Sequence, residues 1–198
     1  MKPDNPARLD DVERAHLIDP SDASFRIGRW APSPDLDELV RRFWVPVWWV
    51  PPGAEAPQRV LQYPVCLIVV SNTYARFYGV VTGLSETVLT GDGWAVGVML
   101  TPAAGGVLTG DVGKWTDRHA ELSEVFGERG TDLERSVRSV MAVEPGVETT
   151  QRSATGRVED WLRSYLPLDD DGRLINAIVE YVETDSSVVA VAQICERF

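Results

Sequence analysis

Histidine and cysteine are scarce, with two of each in a chain of 198 residues. His16 and His119 stand far apart, so no strand carries the closely spaced imidazoles with which small β-barrel enzymes hold iron or manganese. We therefore expect no metal site and no cofactor. Cys66 lies in an apolar run and Cys195 on a predicted helix, where cysteine behaves as a small apolar residue, so both are predicted to be buried free thiols.

Motifs for covalent or phosphate chemistry are also missing. No serine stands in a Gly-x-Ser-x-Gly turn. The pairs Gly91-x-Gly93 and Gly105-Gly106 lack the lysine and helix start of a phosphate loop and are read as turns. The acidic pairs are best explained as solvated capping or linker residues. The chain is thus not expected to be an enzyme.

Long apolar runs are absent, which excludes a membrane-spanning helix. The first residues, Met1 to Asp11, are polar and acidic rather than basic and then apolar, so they do not resemble a secretory signal. These features predict a cytoplasmic protein without a membrane partner.

Positive charge is in deficit. The chain has 19 basic and 30 acidic side chains and a formal net charge of −11. A field of this sign repels a polyanion. The chain is not expected to bind nucleic acid by itself.

A helix start is predicted at Ser33, because a capping serine precedes Pro34 and acidic residues. Leu36, Leu39, Val40 and Phe43 then share one helical face. A strand is predicted to follow over residues 45–50, ended by Pro51-Pro52-Gly53.

Further strands are predicted over residues 60–70, 73–81, 86–90 and 94–100, with glycine-rich turns between them. In the last of these, Trp94, Val96, Val98 and Leu100 share the face that is the better candidate for the core. The pattern favours a small antiparallel barrel or sandwich.

The spacing becomes helical after about Gly113, with helices predicted over residues 119–126, 131–143 and 158–166. An acidic connector over residues 167–172 precedes a new unit. Its apolar stripe consists of Leu174, Ile175, Ile178, Val179 and Val182. Ser187 is predicted to cap a last helix that runs from Val188 to the end.

Aromatic residues concentrate in the β-rich half, and two interpretations remain open. They form core and subunit contacts, or some of them line a pocket for a flat or apolar small molecule. Trp48 and Trp49 are adjacent on a strand and must point to opposite faces. Arg59 and Arg76 are candidates to bind an anionic group, although pairing with a surface acid is the role expected for them.

An ordered series of motifs resembles the N-terminal sensor domain of one AraC-type transcription regulator subgroup. The resemblance runs from about residue 25 to the end. It rests on Leu39-Val40-x-x-Phe43-Trp44, Tyr63-Pro64-Val65, Gly91-x-Gly93, Gly97-Val98, Pro102 and Val125-Phe126-Gly127. The closing residues 191–198 resemble the first helix of that family's helix-turn-helix.

The resemblance implies an α+β fold, a cupin-like antiparallel β-barrel followed by α-helices. The implied parts are an N-terminal arm (1–24), a β-rich sensor domain (25–112), a helical dimerisation or linker region (113–168) and an incomplete helix-turn-helix domain (169–198). The implied partners are a second copy, a small-molecule effector, and promoter DNA bound only through a further C-terminal part. The candidate ligand-binding residues are Trp44, Trp48, Trp49, Tyr63, Tyr74, Arg76 and Trp94.

The resemblance has one departure. Residues 102–106 read Pro-Ala-Ala-Gly-Gly, where the family has a Pro-Gly-Gly-Phe-like turn. If this turn borders a pocket, the ligand is expected to differ. A stand-alone cupin-like binding protein or enzyme remains the alternative, and stoichiometric metal in the purified protein would favour it.

Overall fold

The computed structural model describes residues 23–198. The strands are β1 Phe25–Trp30, β2 Val40–Trp49, β3 Ala56–Leu61, β4 Leu67–Ser71, β5 Ala75–Tyr78, β6 Leu84–Leu89, β7 Asp92–Leu100 and β8 His119–Glu121. The helices are α1 Ala104–Thr109, α2 Leu122–Phe126, α3 Glu128–Met141, α4 Glu148–Leu162, α5 Asp170–Thr184 and α6 Val191–Arg197. Short 3-10 turns cover Pro34–Leu36, Val112–Trp115 and Arg163–Tyr165. His16 and most of the predicted N-terminal arm lie outside the described residues.

Two antiparallel sheets are present, which confirms the α+β class. A six-stranded sheet has the order β1-β2-β7-β4-β5-β8, and a two-stranded sheet pairs β3 with β6. Within residues 23–198 the backbone ladders do not close into a barrel.

The main core lies between one face of the six-stranded sheet and helices α3 and α4. The predicted core face of β7 is confirmed, because Trp94, Val96, Val98 and Leu100 are all buried there. From the helices, Leu133, Val137, Met141, Ala154, Val158 and Leu162 complete this layer. The other face of β7 is buried too, so a second layer of the protein must cover that side of the sheet.

The predicted helix after Ser33 is wrong. A single 3-10 turn forms over Pro34–Leu36, and β2 begins at Val40. Ser33 does not cap the turn; its backbone N–H and hydroxyl each donate to the Glu159 carboxylate at 2.7 Å. The β-branched and aromatic residues of β2 instead form ladders with β1 and β7. The strand predicted over residues 45–50 is the second half of β2.

The predicted strand over residues 60–70 is two strands in different sheets. β3 ends at Leu61 and β4 begins at Leu67. Pro64 lies between them and has no backbone N–H to extend a ladder. The strands predicted over residues 73–81, 86–90 and 94–100 correspond to β5, β6 and β7.

The helical half is confirmed in outline, with three corrections. The helix predicted over residues 158–166 is α4, which begins at Glu148 and ends at Leu162, where a 3-10 turn follows. His119–Glu121 forms β8 rather than the start of a helix, because it pairs with β5, and the sheet therefore extends beyond residue 112. The acidic connector ends in Asp169, which caps α5 by accepting from the N–H of Gly172 at 2.8 Å. Helix α5 carries the predicted apolar stripe.

Ser187 does not cap the last helix, which starts at Val191. Its hydroxyl donates to Asp185 at 2.6 Å. The side-chain oxygen of Gln193 accepts from the N–H groups of Val189 and Ala190 at 2.9 Å each, and so satisfies the donors ahead of the helix.

The two cysteines differ in environment. Cys66 is a buried free thiol, as predicted, and burial raises its pKa to about 11. Cys195 is also free but lies exposed on α6, so its predicted burial is wrong. In the part of the chain described, no helix combines the length and apolarity needed to cross a membrane.

Candidate functional site

A cavity of about 440 Å³ lies between the six-stranded and two-stranded sheets. Strands β1, β2, β4 and β7 supply its floor, and β3 and β6 supply the opposite wall. Its apolar lining consists of Phe25, Ile27, Trp44, Pro46, Trp48, Val60, Leu67, Val69, Val81, Leu89, Ala95 and Met99. The cavity therefore occupies the face of the sheet that points away from the helices.

Two tryptophans of β2 pack against glycines of β7. Trp44 is opposite Gly97 in the strand register, and Trp48 is opposite Gly93. A Cβ atom on Gly97 would lie 2.1 Å from Cε2 of Trp44, and one on Gly93 would lie 2.2 Å from Cζ2 of Trp48. The absence of side chains on the two glycines thus makes room for the two indole rings, which line the cavity.

A transverse row of side chains crosses one end of the cavity. Arg42 on β2 is opposite Met99 on β7, and Met99 is opposite Leu67 on β4. Leu67 is opposite Tyr78 on β5, and Tyr78 is opposite His119 on β8. All five residues line the cavity. The strand register therefore places them together at one end of it.

Cationic groups gather at this end of the cavity. Arg29 on β1 is opposite Trp44, which lies two residues after Arg42 on the same face of β2. Arg29 and Arg42 are therefore diagonal neighbours, and Arg118 borders the same end from the side of β8. We call Arg29, Arg42 and Arg118 the cationic end. Burial lowers the pKa of the Arg42 guanidinium.

Aromatic groups line the opposite end. Phe25 is opposite Trp48 in the register of β1 and β2, and both line the cavity. Tyr74 immediately precedes β5, beside the end of β4 where Ser71 is opposite Ala95. We call Phe25, Trp48 and Tyr74 the aromatic end, with Trp44 between it and the cationic end.

Tyr74 is held in a network beneath the cavity wall. Burial, and then the neighbouring hydroxyl of Tyr78, raise the pKa of Tyr74 to about 12, so its phenol stays protonated near neutral pH. The guanidinium of Arg76 lies 4.9 Å from the centre of the Tyr74 ring. Its Nε atom donates to Glu121 at 2.6 Å.

Two carboxylates border the mouth, and each has a protein partner. Asp117 accepts from the N–H and hydroxyl of Thr82 at 2.8 Å and 2.7 Å, and these bonds lower the pKa of Asp117. An oxygen of Glu86 lies 3.2 Å from Nε of Arg59, so Arg59 pairs with a surface acid, which is the role expected for it. Both acids are exposed, whereas Arg29 and Arg42 are partly buried.

Three of the seven predicted ligand-binding residues line the cavity, namely Trp44, Trp48 and Tyr74. Arg76 does not line it but supports Tyr74 from behind. The other three lie elsewhere. Trp49 is 43% exposed on the far side of β2, where Arg26 stacks on it, and Trp94 belongs to the main core.

Tyr63, the last of these, lies outside the cavity beside α5. The guanidinium of Arg41 is 4.2 Å from its ring centre and also donates to its hydroxyl. Arg41 also forms an ion pair with Glu183 on α5, with its Nη2 atom 2.8 Å from the carboxylate. The residue is part of a contact between the β-rich half and a later helix.

The polar lining was not predicted from the sequence. The missed residues include Arg29, Arg42, Gln58, Tyr78, Arg118 and His119. A signal was available in β2, because Arg42, Trp44, Pro46 and Trp48 follow one another at every second position.

The described side chains do not support a metal-binding site. Across residues 23–198, no group of three histidine, cysteine, aspartate or glutamate residues is placed to hold a metal ion.

Comparison with known proteins gives one match. A family described as "Domain of unknown function (DUF6597)" matches residues 28–121, just under half of the chain. The matched segment begins within β1 and ends with β8, so it contains both sheets and most of the cavity lining. No curated protein and no solved structure matches the chain.

Proposed function

We propose that the protein is the effector-sensing and dimerising part of an AraC-type transcription regulator. The observation that carries the proposal is the aromatic cavity between the two sheets, on the face of the main sheet opposite the helices. In this proposal the cavity binds a small molecule and does not catalyse a reaction. The protein acts in the cytoplasm, and sequence-specific DNA binding belongs to a further C-terminal part.

The proposed arrangement of the sheets is cupin-like. Two antiparallel sheets that face each other across an interior cavity support this assignment. The family match over residues 28–121 is compatible with a single β-rich unit that contains the cavity.

Helix α5 is in direct contact with the β-rich unit, and this contact supports signal transfer. The side-chain amide of Asn176 donates to the carbonyl of Glu38 at 2.9 Å and accepts from the N–H of Ala103 at 3.1 Å. Arg41 binds Glu183 on the same helix. The helix is thus attached both before β2 and after β7, the two strands that carry the tryptophan-glycine floor.

A β-bulge joins this contact to the cavity. The register of β2 against β7 shifts between Val40 and Arg42. Arg41 contacts α5, while the next residue, Arg42, lines the cavity. A ligand that displaces Arg42 therefore acts within one residue of the α5 contact.

Helices α5 and α6 form the proposed opening of the DNA-binding domain. Arg197 of α6 lies over the ring of Tyr181 on α5, 4.7 Å from its centre, and the ring of Phe198, directly after α6, is 5.9 Å from the same ring. Residues of α5 and α6 take no part in either of the two sheets described. Leu174 and Ile175 of α5 are 43% and 46% exposed, and we propose that the remaining helices of the domain cover them.

The cavity's role as a ligand site is tested with Trp48→Leu and the neighbouring Trp49→Leu. We expect the neutral fluorescent probe N-phenylnaphthylamine to bind the unchanged protein. Trp48→Leu should weaken binding by about tenfold, because it removes a ring from the aromatic end. Trp49→Leu removes the same ring from the outer face and should change the affinity by less than about twofold. Equal effects of the two exchanges, in a fluorescence titration, would argue against the cavity as the site.

The regulator class is tested by assembly and by the gene. We expect a dimer in sedimentation velocity at micromolar concentration. We also expect the reading frame to continue past Phe198 into a turn and a basic recognition helix. A monomer whose gene lacks that continuation would contradict the proposal.

A further inference from the structure

The two-stranded sheet that walls the cavity has two faces of different composition. Residues directly opposite each other in an antiparallel pair share a face, so the register of β3 and β6 assigns every side chain. The inner face, five of whose residues line the cavity, consists of Ala56, Gln58, Val60, Ser85, Thr87 and Leu89. The other set, which we call the outer face, consists of Pro57, Arg59, Leu61, Leu84, Glu86 and Val88.

The polarity of this sheet is the reverse of what water favours. A sheet with one solvated face normally carries its polar side chains on that face. Here four of the six outer side chains are apolar and all six residues are exposed, with Leu61 52% accessible. Three of the six inner side chains are polar. A contiguous exposed apolar surface of this kind is typical of a site that another molecule covers.

Apolar pairs form the two ends of the outer face, and a charged pair forms its centre. The two leucines are opposite each other at one end, and the proline is opposite the valine at the other. At the centre Arg59 on β3 is opposite Glu86 on β6, with its Nε atom 3.2 Å from the carboxylate. Arg59 does not line the cavity, so the pair lies on the outer side, although Glu86 also borders the mouth. Each strand thus carries one charge, of opposite sign, at the same height.

This pattern of charge is complementary to a second copy of itself. A two-fold axis along the strands, between two facing copies, lays β3 of one copy over β6 of the other. Arg59 of each copy then meets Glu86 of the other, and the apolar pair at each end meets the same pair. An axis across the strands would place Arg59 against Arg59, which like charge disfavours. Two stacked sheets commonly pack with nearly aligned strands, as the first arrangement requires.

Contact through the strand edges explains fewer of these features. In the part of the chain described, β3 and β6 form ladders only with each other, so each has an open edge. Pro57 has no backbone N–H to donate to an added strand. An edge pairing would also leave the apolar side chains of the outer face in water. Face-to-face contact covers them.

We infer that the outer face is the contact between two copies of the chain, related by a two-fold axis close to the strand direction. The inference rests on the proposed function, which includes a dimer, and adds that the dimer forms through the cavity wall rather than through the helical half. The inner face of the same strands lines the cavity, so the second copy lies directly behind the ligand site.

The available area predicts a weak dimer. Strands of six residues are about 20 Å long. The exposed loop over residues 51–55 adjoins the Pro57 end and extends the surface. The contact buries about 500 Å² in each copy, near the lower limit for a specific interface. We therefore expect a dissociation constant of about 10 μM.

Charge reversals test the contact by sedimentation velocity of the 198-residue chain at about 1–100 μM. Arg59→Glu and Glu86→Arg each bring like charges together in the dimer and should raise the dissociation constant by about tenfold or more. An equimolar mixture of the two variants should associate with about the original affinity. Each chain in the mixture still lacks its internal ion pair, so recovery on mixing requires contact between copies.

Two further variants serve as the control for charge and as an uncharged test. Arg135→Glu breaks a similarly exposed ion pair on α3 and should change the dissociation constant by less than about twofold. Leu61→Asn removes apolar area from both copies of the contact and should raise the constant by about tenfold. Leu174→Asn makes the same exchange at a similarly exposed leucine of α5 and should have less than about a twofold effect. The two leucine exchanges locate the contact even if a charge-reversal variant does not fold.

The outcomes separate this inference from the proposed function. A dimer that survives both charge reversals and Leu61→Asn would overturn the outer face as the contact and leave the dimer itself in place. Loss of the dimer on Leu174→Asn alone would move the contact to α5, with the same consequence. Weakened single variants that do not associate on mixing would overturn the two-fold arrangement. An unchanged chain that stays monomeric up to about 100 μM would count against both.

Discussion

Replacing Phe77 with alanine is expected to lower the free energy of unfolding by about 4 kcal/mol, because it leaves a ring-sized void in the core. Phe77 is fully buried on the helix-facing side of β5. Its ring meets Trp115 and Phe126 edge to face, with centroid distances of 5.3 Å and 5.9 Å. The loss is measured as a lower midpoint of urea unfolding with an unchanged slope.

A matched exchange on the surface separates this effect from strand propensity. Val88 on β6 is 52% exposed, so Val88→Ala should change stability by no more than about 0.5 kcal/mol. A cost below about 1 kcal/mol for Phe77→Ala would contradict the assignment of this ring to the core.

Replacing Gly97 with alanine is expected to lower the free energy of unfolding by about 2 kcal/mol, because the indole of Trp44 occupies the place of the new methyl group. The ring must tilt away from β7 into the cavity. The same exchange should therefore also weaken binding of N-phenylnaphthylamine by about tenfold. Urea unfolding and fluorescence titration measure the two effects.

Gly106→Ala provides the control, because no atom lies within 4 Å of a Cβ atom at that position of α1. In a helix this exchange should be neutral or stabilise by about 0.5 kcal/mol. Adding Trp44→Leu to Gly97→Ala should recover part of the loss, with a coupling energy of about 1 kcal/mol. Strict additivity of the two exchanges would show that the ring and the glycine do not interact.

The bulge in β2 explains why a helix was predicted there. Val40 and Phe43 are three residues apart, a spacing typical of one helical face. In the sheet the bulge between Val40 and Arg42 shifts the alternation by one residue, so both side chains reach the core. A regular strand would place them on opposite faces, and the pattern alone does not distinguish the two explanations.

In strand β7, by contrast, the residue pattern predicts the correct element. Its alternation correctly predicted the core face from Trp94 to Leu100. The cavity on its second face depends on which strands lie beside it. The order of strands in a sheet cannot be predicted from the residue pattern of any single strand. For the same reason the sequence alone does not place Arg29 and Arg42 beside each other.

The two-stranded sheet that covers the cavity is independent of the sheet beneath it in one respect. In the segment described, β3 and β6 share their ladder hydrogen bonds only with each other. The angle between the two sheets is therefore not fixed by any ladder hydrogen bond between them, and substitutions that change this angle would leave the pairing of β2 with β7 intact.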